Sequence, residues 1–151
     1  MFSMFSFVIS VSSTIRVPQD YPSIQEAINA ANNGDIIYVE GGTYHENIVI
    51  DKIISLIGEN SNTTVIDGDG KGDVISILNP WPERGVIVIK GFTIRNSGSA
   101  IESWRGRCGI RIWGASNCVI VGNKIVNNQI GIYVYEGGNN TAVSYTHLTL
   151  P

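Results

Sequence analysis

A repeat in the second half of the chain limits the folds that this sequence can adopt. The segment GIRIWGASNCVIVGNKIVNN, which starts at Gly109, restarts as GIYVYEGGNN at Gly131, an offset of 22 residues. A period of this length, filled by short β-branched runs without a helical pattern, is typical of a parallel β-solenoid. The offset aligns similar side chains: Ile110 with Ile132, Ile112 with Val134, and Trp113 with Tyr135.

Short apolar runs separated by Gly, Asn and Asp continue through most of the chain. Three such runs fit one coil, which predicts three strands per coil with alternate side chains in the core. The runs cover residues 36–39, 47–50, 53–57, 65–66, 74–77, 86–89, 92–94, 110–113, 119–121, 124–126 and 132–135. Asparagine tolerates left-handed backbone, and its amide can bond to the next coil. We therefore expect bends at Asn96, Asn117, Asn123, Asn127, Asn128 and Asn139.

Residues 22–34, PSIQEAINAANNG, carry the marks of one amphipathic helix. Ser23 and Glu26 have the spacing of a capping box, and Gly34 is predicted as the C-terminal cap. The apolar residues recur at helical spacing: Ile24, Ala27, Ile28 and Ala31. A helix here is expected to cover the open end of the first coil.

The two ends of the chain differ from the repeat. Residues 1–13 have an apolar stretch followed by small residues, which predicts the remnant of a signal peptide; a buried first strand is the alternative. This stretch is too short to span a membrane. Residues 143–151, VSYTHLTLP, can be back-translated into a sequence that resembles a sequencing-library adapter, so we predict an artefact. The solenoid domain is then expected over residues 14–142, incomplete at its C-terminus.

Composition and charge exclude several classes of protein. A hydrophobic content of 43% with 15% charged residues indicates an ordered globular domain, and the net charge of −3 argues against a nucleic-acid partner. Cys108 and Cys118 lie at the two ends of one predicted strand, beyond the reach of a disulfide. We predict both as buried or turn residues, and no metal or cofactor is predicted.

Two groups of motifs resemble a known superfamily. Residues 21–60, YPSIQEAINAANNGDIIYVEGGTYHENIVIDKIISLIGEN, resemble the N-terminal part of the pectin-lyase-like right-handed parallel β-helix superfamily and are similar to pectin methylesterases there. The later motifs GFTIRN, VGNKIVNN and GIYVYEGGN resemble the repeats of NosD-type periplasmic proteins and of carbohydrate-binding modules. The resemblance implies a right-handed parallel β-helix that is secreted, periplasmic or at the cell surface.

The catalytic residues of these families do not carry over to this sequence. Pectin methylesterases would need a Gln and two Asp after GFTIRN, whereas the chain reads CGIRIWGASNCVIVGNKI. The Asp pair and Gly-His-Gly turn of polygalacturonases are absent from the sequence. Enzymatic activity therefore stays open; an enzyme of this fold would be a polysaccharide lyase, hydrolase or esterase. NosD-like copper-enzyme maturation would want a cluster of metal ligands, and His45 alone does not form one.

Two insertions point to a binding face. The offset between equivalent coils is 22 residues in the plain repeat and rises to 31 and 33 elsewhere. The extra residues fall within 97–108 for the offset of 31 and around 79–84 for the offset of 33. Insertions in solenoids often build the binding face. Glu83, Glu102 and Glu136 are the nearby carboxylates, and we predict them to be solvated loop charges because no motif fixes their spacing.

The predicted groove combines aromatic and arginine side chains. Trp113 and Tyr135 are expected to form an aromatic ladder on strands about 4.8 Å apart. Aromatic faces stack on sugars, and arginine forks pair with uronate or sulfate groups. The predicted partner is therefore a polysaccharide, and the arginines favour an acidic one. The groove residues are Trp113, Tyr135, Arg111, Tyr133, Trp104, Arg105, Arg107, Trp81 and Arg84. Alternatively, the stacked rings only shield the sheet.

Three functions remain open from the sequence. The first is binding or processing of a polysaccharide, the second is a NosD-like accessory role for a copper enzyme, and the third is a noncatalytic surface or adhesin stalk. The acidic segment DGDGKGD, which starts at Asp67, has alternate carboxylates as calcium loops do. It lacks the distal Glu of such a loop, so we predict a glycine-rich turn.

Overall fold

The computed structural model describes residues 11–78, 80, 85–99, 107–137 and 143–145. These residues form one short helix, α1 (Ile24–Ala30), and a series of short strands. The strands are β1 (Thr14–Val17), β2 (Ile36–Val39), β3 (Gly42–His45), β4 (Ile48–Ile50), β5 (Ser55–Gly58), β6 (Thr64–Asp67), β7 (Ile75–Leu78), β8 (Ile87–Lys90), β9 (Thr93–Arg95), β10 (Cys108–Trp113), β11 (Cys118–Val126), β12 (Ile130–Tyr135) and β13 (Val143–Tyr145).

The strands wind into a parallel β-helix with three sheet faces. The first sheet stacks β1, β2, β5, β8, the start of β11, and β13; the second stacks β3, β6, β9 and the end of β11; the third stacks β4, β7, β10 and β12. The strand pairs of this described part are all parallel. Each coil contributes one strand to each sheet, as the three runs per repeat predict.

The register of the coils follows the sequence repeat. Ile110 pairs with Ile132 and Trp113 with Tyr135, which confirms the offset of 22 residues. The longer offsets are also confirmed, because Ile89 pairs with Ile120 and Ile57 with Lys90. In strands such as β7 and β8, successive side chains alternate between the core and the outer face. The buried side chains form one continuous hydrophobic core.

The helix α1 covers the core at the first coil. Ile24, Ala27 and Ile28 are fully buried and pack toward β1, β2 and β4. The side-chain oxygen of Ser23 accepts a hydrogen bond from the backbone N–H of Glu26 at 3.2 Å, so Ser23 is the N-cap as predicted. The amide of Gln25 exchanges two hydrogen bonds with the backbone of Val49, which satisfies the free edge of β4.

The predicted C-terminal cap at Gly34 is wrong. The helix ends at Ala30, and its C-cap is Ala31, whose backbone is extended. Lys52 from the first coil holds the last carbonyl groups of the helix, so the chain leaves the helix before it reaches Gly34. Gly34 instead takes a left-handed conformation with φ of 96° in the turn that leads into β2.

The corners between strands use the predicted asparagines in two ways. Asn96, Asn117 and Asn127 have left-handed backbone, with φ of 59°, 58° and 53°. Asn123 and Asn128 instead bridge to the preceding coil. The buried amide of Asn123 accepts from the N–H of Phe92 at 3.0 Å and donates to the carbonyl of Ile89 at 2.9 Å. Asn139 lies outside the described residues.

The strand predictions were incomplete for β1, β3, β11 and β13. The predicted runs begin at residue 36 and end at residue 135, so they left out β1 and β13. The strand β3 was missed, because GTYH has no apolar run and its side chains are only half-buried or exposed. The runs at 119–121 and 124–126 form one continuous strand, β11, which passes from the first sheet into the second.

The ends of the chain lie largely outside the described residues. Residues 1–10 of the predicted signal peptide are among them, and β1 begins just beyond that segment, at Thr14. Val143–Tyr145, within the predicted adapter segment, pairs with β11 through an irregular register. An exposed strand edge can pair with any extended backbone, so the origin of residues 143–151 stays a prediction.

Candidate functional site

The outer face of the third sheet brings together the predicted groove residues that the structure describes. Two rows of outward side chains cross this sheet. One row, here called the arginine row, contains Val49, Ser76, Arg111 and Tyr133. The other, here called the aromatic row, contains Leu78, Trp113 and Tyr135. The rows are adjacent because side chains two residues apart on a strand point to the same face.

The aromatic row forms an apolar strip that water can reach. The rings of Trp113 and Tyr135 have their centroids 4.9 Å apart and are tilted by 42°. Leu78 continues the strip on the neighbouring strand, and it is 41% exposed, while Tyr135 is 40% exposed. The predicted ladder of Trp113 and Tyr135 is therefore present, with an aliphatic step added at one end.

Arg111 is held from two sides. Its guanidinium carbon lies 5.4 Å from the ring centroid of Tyr133, within cation–π range. Its Nε and Nη2 donate to the two carboxylate oxygens of Asp73, at 2.5 Å and 3.1 Å. Arg111 lies beside Tyr133 as expected, but its fork is occupied by Asp73.

Asp73 is the residue of this face that sequence reasoning missed. The sequence predicts Asp73 as part of a glycine-rich turn. In the structure it binds Arg111, and its Oδ1 accepts a further hydrogen bond from the N–H of Cys108 at 2.8 Å. The register of β7 and β10 places Ile75 beside Ile110, an offset of 35 residues. The same offset joins Asp73 to Cys108, so aligning these two coils would have found the contact.

Asp73 and Arg111 each stabilise the charged form of the other. Burial opposes ionisation of Asp73, but hydrogen bonds from Arg111 and from the N–H of Cys108 hold its pKa below the ordinary value. The hydrogen bond to Asp73 raises the pKa of Arg111, while burial acts in the opposite direction. Both side chains are largely shielded from water, with exposed fractions of 12% for Arg111 and 17% for Asp73. We conclude that both groups are charged at neutral pH.

The other predicted groove residues divide into two groups. Arg107 precedes β10 and donates from its Nη1 to the carbonyl of Lys71 at 3.0 Å. Four lie outside the described residues: Trp81, Arg84, Trp104 and Arg105. In the sequence, the segments that contain these four residues are next to strands of the third sheet: residues 79–84 follow β7 and residues 100–106 precede β10.

The two cysteines are free and buried, which agrees with the sequence prediction. Burial raises the pKa of Cys108 to about 11. The pKa of Cys118 is also raised to about 11, again by burial. Neither thiol is therefore suited to act as a nucleophile or a metal ligand.

One group of side chains has the composition of a metal site. Ligand atoms of His45, Asp67 and Asp69 lie within 4.8 Å of one another. His45 is exposed, as predicted, and its Nδ1 lies 2.6 Å from a carboxylate oxygen of Asp69. Asp67 accepts from Arg95 and Asn96 at 2.8 Å each. Arg95 supplies positive charge beside Asp67. The contacts of His45 with Asp69 and of Arg95 with Asp67 tie three successive coils together.

No family model matches the chain. A probable pectinesterase/pectinesterase inhibitor 6 of Arabidopsis thaliana is 41% identical over 58 residues, which are 32% of this chain. A cell surface glycoprotein of Methanothermus fervidus is 28% identical over 126 residues, or 82% of this chain. The chain spans only 10% and 19% of the length of these two relatives.

Within the described residues, no helix is both long and apolar enough to cross a membrane. A solved structure, a pectin methylesterase in complex with a hexasaccharide, matches with a TM-score of 0.60 at 17% identity. The match covers 82% of this chain and 45% of that chain. Together with the three stacked parallel sheets, this match shows that the chain has the pectin-lyase-like parallel β-helix fold.

Proposed function

We propose that this chain is an extracytoplasmic β-helix module that binds a polysaccharide on the outer face of its third sheet. The observation that carries the proposal is the apolar strip in which Leu78 and Tyr135 are exposed and Trp113 between them is half-buried. Support comes from the two similar proteins whose names place them on pectin or at a cell surface, and from the similar structure solved with a hexasaccharide.

The strip suits the flat apolar face of a pyranose ring. Stacking on Trp or Tyr buries C–H groups of the sugar, while its hydroxyl groups stay in reach of polar neighbours. The Arg111–Asp73 pair, beside the strip, offers both a donor and an acceptor for those hydroxyls. An aromatic ladder that only shielded the sheet would need no such polar neighbour.

The test is retention of the full chain on immobilised polysaccharides. The double variant Trp113→Ala/Tyr135→Ala should lose retention by at least about tenfold, because it removes both stacking faces. Tyr38→Ala is the matched control, since Tyr38 also lies beside an arginine, Arg16, but on the first sheet. Equal retention of the double variant and the wild type would refute the proposal, provided both remain folded by circular dichroism.

A second candidate is a noncatalytic surface module without a glycan ligand. The match to the cell surface glycoprotein favours it, because that match extends over 82% of this chain. A folded wild-type chain that is retained on no polysaccharide would favour this candidate over the first.

Two further alternatives have less support. Of the carboxylates near the strip, Asp73 is engaged with Arg111, Glu136 is exposed, and Glu83 and Glu102 lie outside the described residues. This offers no paired acid and base for a lyase, hydrolase or esterase within the described face. A NosD-like copper role would require soft ligands in a cluster, whereas His45 is bound to Asp69.

A further inference from the structure

The charge on the third-sheet face is balanced before any ligand arrives. Asp73 binds the fork of Arg111 through both carboxylate oxygens, and the N–H of Cys108 fixes the position of Asp73. The pair is thus preorganised and needs no rearrangement in the free protein. A free uronate that approached Arg111 would have to displace Asp73 or lie next to its negative charge.

The neighbouring side chains do not restore a positive potential. Beside Arg111, the described members of the two rows are hydroxyl-bearing or apolar side chains: Val49, Ser76, Leu78, Trp113, Tyr133 and Tyr135. Glu136 follows the aromatic row directly and is exposed, and Arg107 adds one positive charge beside β10. In sequence, residues 79–84 carry one acid and one base, Glu83 and Arg84, and residues 97–108 carry Glu102 and Arg105 besides Arg107.

From this balance we infer that the face binds neutral sugars and esterified uronates in preference to free uronates. Asp73 is the residue that sets this preference. The inference rests on the proposed function, because it concerns the ligand of the same face. It reverses the preference for acidic polymers that the arginines alone suggest. Selectivity here comes from the apolar strip and from Asp73, which already occupies the fork of Arg111 that a uronate would need.

Two forms of one polymer test the inference. Highly methyl-esterified polygalacturonate and the same material after de-esterification differ in charge but share a backbone. The wild-type chain should be retained at least about tenfold more strongly on the esterified form, because a free uronate would lose hydration at this face while the fork of Arg111 is already bound to Asp73. Added salt should leave retention on the esterified form unchanged, since no ion pair with the ligand is involved.

Asp73→Asn provides the decisive variant. The amide oxygen can still accept from the N–H of Cys108, while Arg111 no longer faces a negative charge at position 73. This variant should raise the ratio of retention on the de-esterified polymer to retention on the esterified one by at least about tenfold. Glu26→Gln, on the exposed face of α1, removes the same unit of charge far from the strip and should change neither value.

The outcomes separate the inference from the proposed function. Wild-type retention that is equal or stronger on the de-esterified polymer would overturn the inference and leave polysaccharide binding intact. Retention on neither polymer nor on a neutral glucan would overturn the proposed function. If Asp73→Asn does not fold, the salt series on the wild type decides: a strong loss of retention on the esterified polymer with added salt overturns the inference.

Discussion

Glu46 and Lys52, both from the first coil, bind opposite ends of α1. The carboxylate of Glu46 accepts hydrogen bonds from the N–H groups of Ile24 and Gln25, both at 2.9 Å. The Nζ of Lys52 donates to three carbonyl groups at the other end, at 2.7 to 3.0 Å. Each charge also has the sign that the helix dipole favours at its end.

Lys52→Met should therefore destabilise the chain although the substituted side chain is of similar length. The variant leaves carbonyl groups at the end of α1 without their donor, and we expect a loss of about 2 kcal/mol in the free energy of unfolding. Urea denaturation measures it. Lys90→Met, an exposed lysine on β8, is the control and should change stability by less than about 0.5 kcal/mol. Equal effects of the two substitutions would contradict the role of Lys52.

Asn123→Ala should destabilise the corner between the first and second sheets. The substitution removes the amide that pairs with the backbone of Phe92 and Ile89, and these groups are buried there. We expect a loss of about 3 kcal/mol, because two buried polar groups lose their partner. Asn127→Gly is the control, since Asn127 is exposed with φ of 53°, which glycine adopts without strain. Loss of stability in the control alone would contradict this assignment.

The strand register could be predicted because the repeat places similar side chains at equivalent positions of successive coils. Each coil brings its isoleucines to the same depth in the core, so an alignment of Ile110 with Ile132 in the sequence also aligns the strands. The pairing of Trp113 with Tyr135 follows from the same alignment. By contrast, β3 has too little burial to leave an apolar pattern in the sequence.

The contacts that join different coils through side chains were not predictable in the same way. Asp73 meets Arg111 across an insertion, where the offset of 35 residues departs from the repeat. Glu46 follows β2 and β3 in the sequence, yet it binds the N-terminus of α1. The local capping pattern at Ser23 therefore describes only part of that helix end. Such pairs depend on how the coils stack, and a single sequence carries that information only after the register is fixed.

Gly58→Ala should be among the most damaging single substitutions in the described chain. A Cβ at Gly58 would lie 2.4 Å from the backbone oxygen of Gly91 in the next coil. Backbone cannot move aside without separating the coils, so we expect a loss of about 3 kcal/mol in the free energy of unfolding. Gly34→Ala is the comparison, because its Cβ would meet nothing within 4 Å and would add only backbone strain. An equal or smaller loss for Gly58→Ala would contradict the close contact.

Asp67 should make the stability of the chain depend on pH below neutrality. Burial opposes its ionisation, but hydrogen bonds from the N–H of Asp69, from Asn96 and from Arg95 hold its pKa below the ordinary value of 3.8. A carboxyl group whose pKa is lower in the folded state adds stability above its unfolded pKa. That contribution is lost as the pH falls through the folded value.

Asp67→Asn tests this pH dependence. The variant should lose about 1 to 2 kcal/mol at neutral pH, because it removes a buried carboxylate from an ion pair whose arginine is 39% exposed. Its free energy of unfolding should also fall less steeply than that of the wild type as the pH is lowered below about 4. Urea denaturation at a series of pH values measures both, and Asp51→Asn controls for the loss of one exposed carboxylate. Parallel pH profiles for Asp67→Asn and the wild type would contradict this role of Asp67, because removal of its carboxyl group should remove its share of the pH dependence of stability.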